Sequence, residues 1–248
     1  MKYLAFQQII DTMKNSGYDY QAQCEEMLSQ AKKRKEGETF PIQKHIRALI
    51  YAQLSNQRPW KQIVKNSNNI DAIFHNYDLE YLKQTDPDIF TSKLKQIKCG
   101  NRQIQKQMLS LKENISTLEK IEAKYGSIDN YYNSQDTSLL VIELSSGRYK
   151  MKQMGRPLIS EYLKTMGIDI IKPDVHVCRI LGRLGYTDHS PAQINEAFEV
   201  CNEIAQEYNI CNIEVDSILW QYCANGYFEQ CIDKPNCSNC FVENCINK

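Results

Sequence analysis

The feature that most constrains this 248-residue chain is the spacing of its apolar residues. Ile104, Met108, Leu111, Ile115, Leu118 and Ile121 recur at alternating intervals of four and three, the pattern of one amphipathic helical stripe. Ile42, Ile46, Leu49 and Ile50 do the same ahead of a break at Pro59. Val177, Ile180, Leu181 and Leu184 repeat the pattern after Pro173-Asp174, and Ile194, Phe198, Cys201 and Ala205 follow. No segment shows the period-two alternation of a half-buried strand. Ten glycines and seven prolines fall below the averages of ~7% and ~5%, which argues against a sandwich or barrel with many tight turns. The fold class read from this pattern is all-α. The length suits one large or two modest domains at ~150 residues each. No internal repeat or low-complexity linker interrupts it, and Lys32-Lys33-Arg34-Lys35-Glu36-Gly37-Glu38 is the best surface connection.

Charged residues make up 24% of the chain, close to the globular average of ~25%, which excludes a wholly disordered polypeptide. The start, Met1 to Gln8, reaches Asp11 before any apolar run develops, so no signal peptide is visible. No uncharged apolar stretch of ~18 residues is present to span a membrane. A cytoplasmic protein is expected. The net charge of zero hides local asymmetry. Between Ile89 and Lys112 lie Lys93, Lys95, Lys98, Arg102, Lys106 and Lys112 with no acid, and between Leu144 and Lys164 five basic residues face only Glu161. Beyond Gly185 ten acids oppose Lys234 and Lys248. Such basic stretches suit a phosphate backbone, and equally describe solvated helix surface.

Seven of the ten cysteines lie from Cys201 onward. In a chain without a secretory signal, clustered cysteines point to metal before disulfides. Cys231, Cys237, Cys240 and Cys245 are separated by five, two and four residues. Four thiolates in so short a segment suit an iron–sulfur cluster or tetrahedral zinc, with Cys223 as a spare ligand. Cys178, Cys201 and Cys211 fall at apolar helical positions and read as core thiols.

Four features therefore stand in order. They are Leu54-Ser55-Asn56-Gln57-Arg58-Pro59-Trp60; Leu144-Ser145-Ser146-Gly147-Arg148-Tyr149-Lys150-Met151-Lys152, extended by Gly155-Arg156; Lys172-Pro173-Asp174-Val175-His176-Val177-Cys178-Arg179-Ile180-Leu181 with Arg183-Leu184-Gly185; and the four cysteines. Together they resemble the helix-hairpin-helix DNA glycosylase superfamily, the endonuclease III and MutY-like enzymes, from about Ile42 to the C-terminus. The resemblance implies that Asp174 is the catalytic carboxylate. It also implies that Gln57 fills the gap left by an extruded base, and that the C-terminal cysteines hold a [4Fe–4S] cluster. In the family each outer cysteine gap is one residue longer.

Asp174 follows a proline and precedes an apolar-periodic run, so it also reads as a plain helix N-cap. The two roles agree, because a cap fixes the carboxylate that N-glycosidic cleavage needs beside the positive charge developing at C1′. His176, two residues on in the first turn of that helix, reads as a structural histidine. The hairpin should offer backbone N–H groups at a helix N-terminus to a DNA phosphate, but the family's two glycines separated by one residue are not both present. Two registers remain: Gly147-Arg148-Tyr149-Lys150, in which Lys150 takes the place of the family's lyase amine, and Gly155-Arg156-Pro157, in which no amine remains. Arg148, Lys150, Lys152 and Arg156 are phosphate-contact candidates in either register. Trp60 reads as core packing or as a stacking platform in the base pocket.

The expected architecture is two helical lobes. One spans residues 41–165 and ends in the hairpin; the other combines 1–40 with 166–248 and carries Asp174 at a cleft together with the cysteine loop. The expected protein is a monomeric glycosylase acting on double-stranded DNA with a flipped base, monofunctional, or a lyase through Lys150. A non-catalytic DNA-binding protein is the rival. The excised base stays open: oxidised, alkylated, mispaired, or a hypermodified base of foreign phage DNA, as in antiviral defence.

Overall fold

The structure is a computed structural model that describes residues 2–235, 237–243 and 245–246. Among these, helices follow one another with no strand: α1 (Leu4–Asn15), α2 (Glu25–Lys35), α3 (Ile42–Leu54), α4 (Trp60–Lys65), α5 (Ser67–Ile73), α6 (Leu79–Gln84), α7 (Pro87–Gln96) and α8 (Ile104–Leu109). Then come α9 (Leu111–Tyr125), α10 (Ile128–Asn133), α11 (Thr137–Ser145), α12 (Arg156–Thr165), α13 (Val175–Arg183), α14 (Ile194–Tyr208) and α15 (Asn212–Cys223). No helix among the described residues is long and apolar enough to cross a membrane. The chain divides into two compact units, Lys33–Met166 and Met1–Lys32 with Gly167–Lys248.

In the Lys33–Met166 unit, short polar side chains start the helices by accepting orphan first-turn N–H groups. Asp78 accepts from Tyr81 N, Asp86 from Asp88 N and Asp136 from Ser138 N and Leu139 N. The stripe Ile104, Met108, Leu111, Ile115, Leu118, Ile121 is wholly buried, but it lies on two helices rather than one. The chain breaks at Ser110 between α8 and α9, leaving Leu109 exposed. Periodicity survives such a break because both helices turn the same face to one core.

Residues 33–40, expected with the other lobe, belong to this unit. Asp129, fully buried on α10, explains why. It accepts from Arg34 Nη2 at 2.6 Å and from the Phe40 backbone N–H. Arg34 also donates to Asn133 Oδ1 and to the Met166 carbonyl. His45 Nε2 lies 3.3 Å from Asp129 Oδ1, while its Nδ1 meets Tyr162 Oη at 2.8 Å, and Tyr162 in turn meets Tyr132 Oη at 3.0 Å. One carboxylate thus ties the 33–40 segment to α3, α10 and α12.

In the Met1–Lys32 and Gly167–Lys248 unit, Phe6, Ile9 and Met13 of α1 pack with Val177, Ile180 and Leu181 of α13, Ile204 of α14 and Leu219 of α15. Cys178 and Cys201 lie in this core as the spacing predicts, and burial pushes both thiols up, Cys178 to about 11. Cys211 differs: it is half-buried, precedes α15 rather than lying on a helix, and its thiol donates to Glu214 Oε2 at 3.2 Å. Gly182 on α13 is required by close approach, since a Cβ there would stand 2.8 Å from Ser190 Cα.

Asp129→Asn leaves the Arg34 guanidinium buried without its counter-charge and is expected to lower unfolding free energy by about 3–5 kcal/mol, read from the urea midpoint. Burial lowers the His45 pKa from its ordinary 6.5. The unfolded chain therefore takes up a proton below pH 6.5 that the folded chain refuses, and stability falls with acidification from there. Burial pushes the Asp129 carboxyl up, but His45, Arg34 and the Phe40 N–H outweigh it and hold it below its ordinary value, which adds a second loss at lower pH. Stability curves of His45→Gln against pH should lack the first loss and keep the second.

Candidate functional site

Asp174 caps α13. Its backbone is extended, and its Oδ1 accepts from His176 N at 2.8 Å and Val177 N at 3.2 Å, satisfying two orphan donors of the first turn. Its Oδ2 stands 3.9 Å from Lys172 Nζ. The approach to the cap is held from α15, where buried Asp216 accepts the Lys172 N–H at 2.7 Å. The carboxylate is thereby fixed in position and largely, not wholly, shielded from solvent.

His176 is a structural histidine. Arg179 Nη2 points at its Nδ1 from 3.2 Å, and an arginine only donates, so Nδ1 accepts. The other ring nitrogen keeps its proton for the Cys223 carbonyl, and burial lowers the pKa, which favours the neutral ring. The ring stands edge-on to Trp220 at 6.1 Å.

At the far end of the same helix, Cys231, Cys237, Cys240 and Cys245 line one hollow together with Arg183, Gln230 and Pro235. The four thiols that sequence spacing groups are thus brought together. Hydrogen bonds from Cys223 and then Arg183 draw the Cys231 thiol down to about 6. All four donors are sulfur, which suits an iron–sulfur cluster, while no three metal-ligating side chains among the described residues are placed to hold a single metal ion such as zinc.

The hairpin is built by residues 146–155, between α11 and α12. Asn114 clamps it in both directions, accepting from Lys152 N at 2.6 Å and donating to Lys152 O at 3.1 Å. Met151 and Met154 are buried beneath it. The Gly147-Arg148-Tyr149-Lys150 segment forms the turn that ends α11: Gly147 N bonds Ile142 O and Met151 N bonds Leu144 O. Lys150 is exposed there, and Arg148 lies over the Tyr149 ring. The helix N-terminus belongs to the other register, with Gly155 at the N-cap, Arg156 opening α12 and Pro157 in its first turn. Gln153, two residues before Gly155, has φ 59°. A glutamine therefore holds the left-handed conformation that glycine adopts freely, and no sequence signal marks it. A Cβ on Gly155 would meet nothing nearer than Pro157 Cδ at 3.9 Å, so the space in front of that backbone is open. Lys152 Nζ pairs with Glu113 at 3.4 Å on the surface.

Gln57 is exposed in the turn between α3 and α4, with φ 55°. It lines a hollow with Arg58 and Arg102. Arg58 is a structural tie rather than a spare cation, because its guanidinium donates through Nε and Nη2 to the Gly100 carbonyl. Trp60 opens α4, half-buried and edge-on to Tyr51 at 6.4 Å.

No family model matches the chain, and no curated protein matches it in sequence. Solved structures do. The Methanocaldococcus jannaschii 8-oxoguanine glycosylase/lyase, in complex with a 15mer DNA containing 8-oxoguanine, superposes with a TM-score of 0.60 at 16% identity, covering 88% of this chain and 96% of that one. The M. jannaschii 8-oxoguanine DNA glycosylase gives 0.59 at 17%, covering 88% and 92%. The all-helical fold is thus the one these two glycosylase structures have.

Two stability measurements follow from the geometry. Asp174→Asn keeps a good cap and should leave the thermal midpoint nearly unchanged, whereas Asp174→Ala should lose about 1–2 kcal/mol. Gln153→Gly relieves the left-handed side chain and should raise stability by about 1 kcal/mol; a fall in the urea midpoint would contradict that assignment.

Proposed function

We propose that the chain is a DNA glycosylase that takes an altered base out of the duplex and hydrolyses its N-glycosidic bond, leaving an abasic site. The observation that carries the reading is a fixed carboxylate, Asp174, at the cap of α13 in a fold shared with solved DNA glycosylases. The backbone N–H groups hold Oδ1, which leaves Oδ2 to meet the positive charge that grows at C1′ as the base departs with the bonding electrons. Water then attacks C1′, its oxygen becomes the sugar hydroxyl, and a proton passes to the released base. Lys172 Nζ stands 3.9 Å from that oxygen.

DNA enters the reading through the hairpin. Gly155 leaves the start of α12 open to a phosphate, and a helix N-terminus attracts one. Arg156, Arg148 and Lys152 add charge on the same segment, and Gln57 serves as the residue that enters the gap in the duplex. Pro157 stands where the family's lyase amine would be in this register, which supports a monofunctional, water-using enzyme. The lyase reading requires Lys150, on the preceding turn. The four-cysteine hollow is read as the seat of a [4Fe–4S] cluster, which when bound would cross-link the C-terminal loop through four iron–sulfur bonds.

The test is free-base release by mass spectrometry from pooled duplexes carrying oxidised, alkylated, deaminated and phage-type modified bases. An oxidised purine is the first candidate, since both similar structures are of 8-oxoguanine glycosylases. Asp174→Asn should slow release on the order of 100- to 1,000-fold while DNA affinity holds. Borohydride should trap no protein–DNA adduct; an adduct lost in Lys150→Gln would establish the lyase. DNA binding without release from any pool would favour the non-catalytic binding protein.

A further inference from the structure

One residue outside the cysteine loop touches both of its ends. Arg183, the last residue of α13, reaches the first ligand segment with its side chain: Nη1 donates to Ile232 O at 2.7 Å and, at 3.4 Å, to both the carbonyl and the sulfur of Cys231. Its Nη2 donates to Asp233 O at 2.8 Å. The same residue's carbonyl accepts from the other end of the loop, from Ile246 N at 2.9 Å and the Cys245 thiol at 3.2 Å. Both ends of a fifteen-residue loop, Cys231 to Cys245, therefore close on a single arginine.

The outcome is an asymmetry among the four sulfurs. That of Cys231 receives an N–H from Arg183. That of Cys240 lies 3.5 Å from Tyr222 Oη. That of Cys245 donates, and on metal binding it must give up its proton and this bond, leaving Ile246 N–H on the Arg183 carbonyl. Hydrogen bonds to ligand sulfurs stabilise the more negative, reduced state of a cluster and raise its potential. The loop has no other fork-shaped donor: among its described residues Lys234 is the one cation.

We propose that Arg183 is the positioning residue of the cysteine centre, closing the loop at both ends so that four sulfurs face one cluster, and that its hydrogen bond to the Cys231 sulfur raises the cluster's potential. This rests on reading the hollow as an iron–sulfur site. The planar fork matters as much as the charge, because a lysine ammonium cannot span the Cys231, Ile232 and Asp233 acceptors at once.

The whole chain is reconstituted anaerobically with ferrous iron and sulfide. Iron and acid-labile sulfide per chain, bleaching of the visible absorption in air, and midpoint potential by film voltammetry are then read. Wild type should hold about four of each per chain. Arg183→Met and Arg183→Lys should both bleach about tenfold faster or more, with unchanged helical circular dichroism. Arg183→Lys should also show a lower potential, which holds the proposal to account even if Arg183→Met fails to fold. Wild-type bleaching or a wild-type potential in Arg183→Lys overturns the proposal while leaving the cluster intact. A wild type that takes up no iron, or zinc in its place, overturns the cluster reading and the proposal with it.

Discussion

The Met1–Lys32 and Gly167–Lys248 unit depends on one nine-residue helix, α13, and on the fact that its two ends need opposite partners. Its N-terminus presents unpaired N–H groups and takes a carboxylate, Asp174; its C-terminus ends in the guanidinium of Arg183 and a carbonyl left over from the helix. Between them, Val177, Ile180 and Leu181 bury the apolar face against α1, α14 and α15. The core fixes the helix, and the helix fixes a carboxylate at one end and a cysteine loop at the other. Neither group would hold a defined position on a loop of its own.

The Lys33–Met166 unit solves a different problem by a similar device. Its hairpin lacks the second glycine that would let the backbone turn without strain, and a glutamine takes the left-handed position. The turn persists because it is over-determined: Asn114 binds Lys152 twice, and Met151 and Met154 are sealed below it. Asp129 plays the corresponding part at the other end of α12, where a buried carboxylate with several donors organises segments distant in sequence. Such a centre contributes definition more than net stability, since removing both charges from water offsets much of their attraction.

Legibility in the sequence followed the range of the forces involved. Helix content, the break at Pro59, the cap at Asp174 and the grouping of four cysteines were all readable, because each rests on neighbours a few residues apart. The break at Ser110 was not, since α8 and α9 share one buried face and the stripe runs on through the gap. The assignment of residues 33–40 was hidden because it depends on Arg34 finding Asp129, 95 positions away. Between the two hairpin registers nothing local decides: neither holds both glycines, and Gln153 carries no mark of the left-handed conformation it adopts. Arg183 stood in the quoted motif yet had no role there, because its acceptors are backbone carbonyls, and any residue types would supply those.

What the sequence determined by itself was therefore the short-range inventory: an all-helical chain, a capped carboxylate, basic stretches on either side of the chain's middle, and sulfur donors clustered near the C-terminus. Each follows from periodicity, capping or spacing, which act over one or two turns. The tertiary structure alone decided which glycine opens α12, which segment joins which unit, which arginine is a structural tie and which closes the cysteine loop. Those choices turn on buried charge and backbone hydrogen bonds between residues far apart in the chain. Their strength comes from the exclusion of water, and that exclusion exists only once the core has formed.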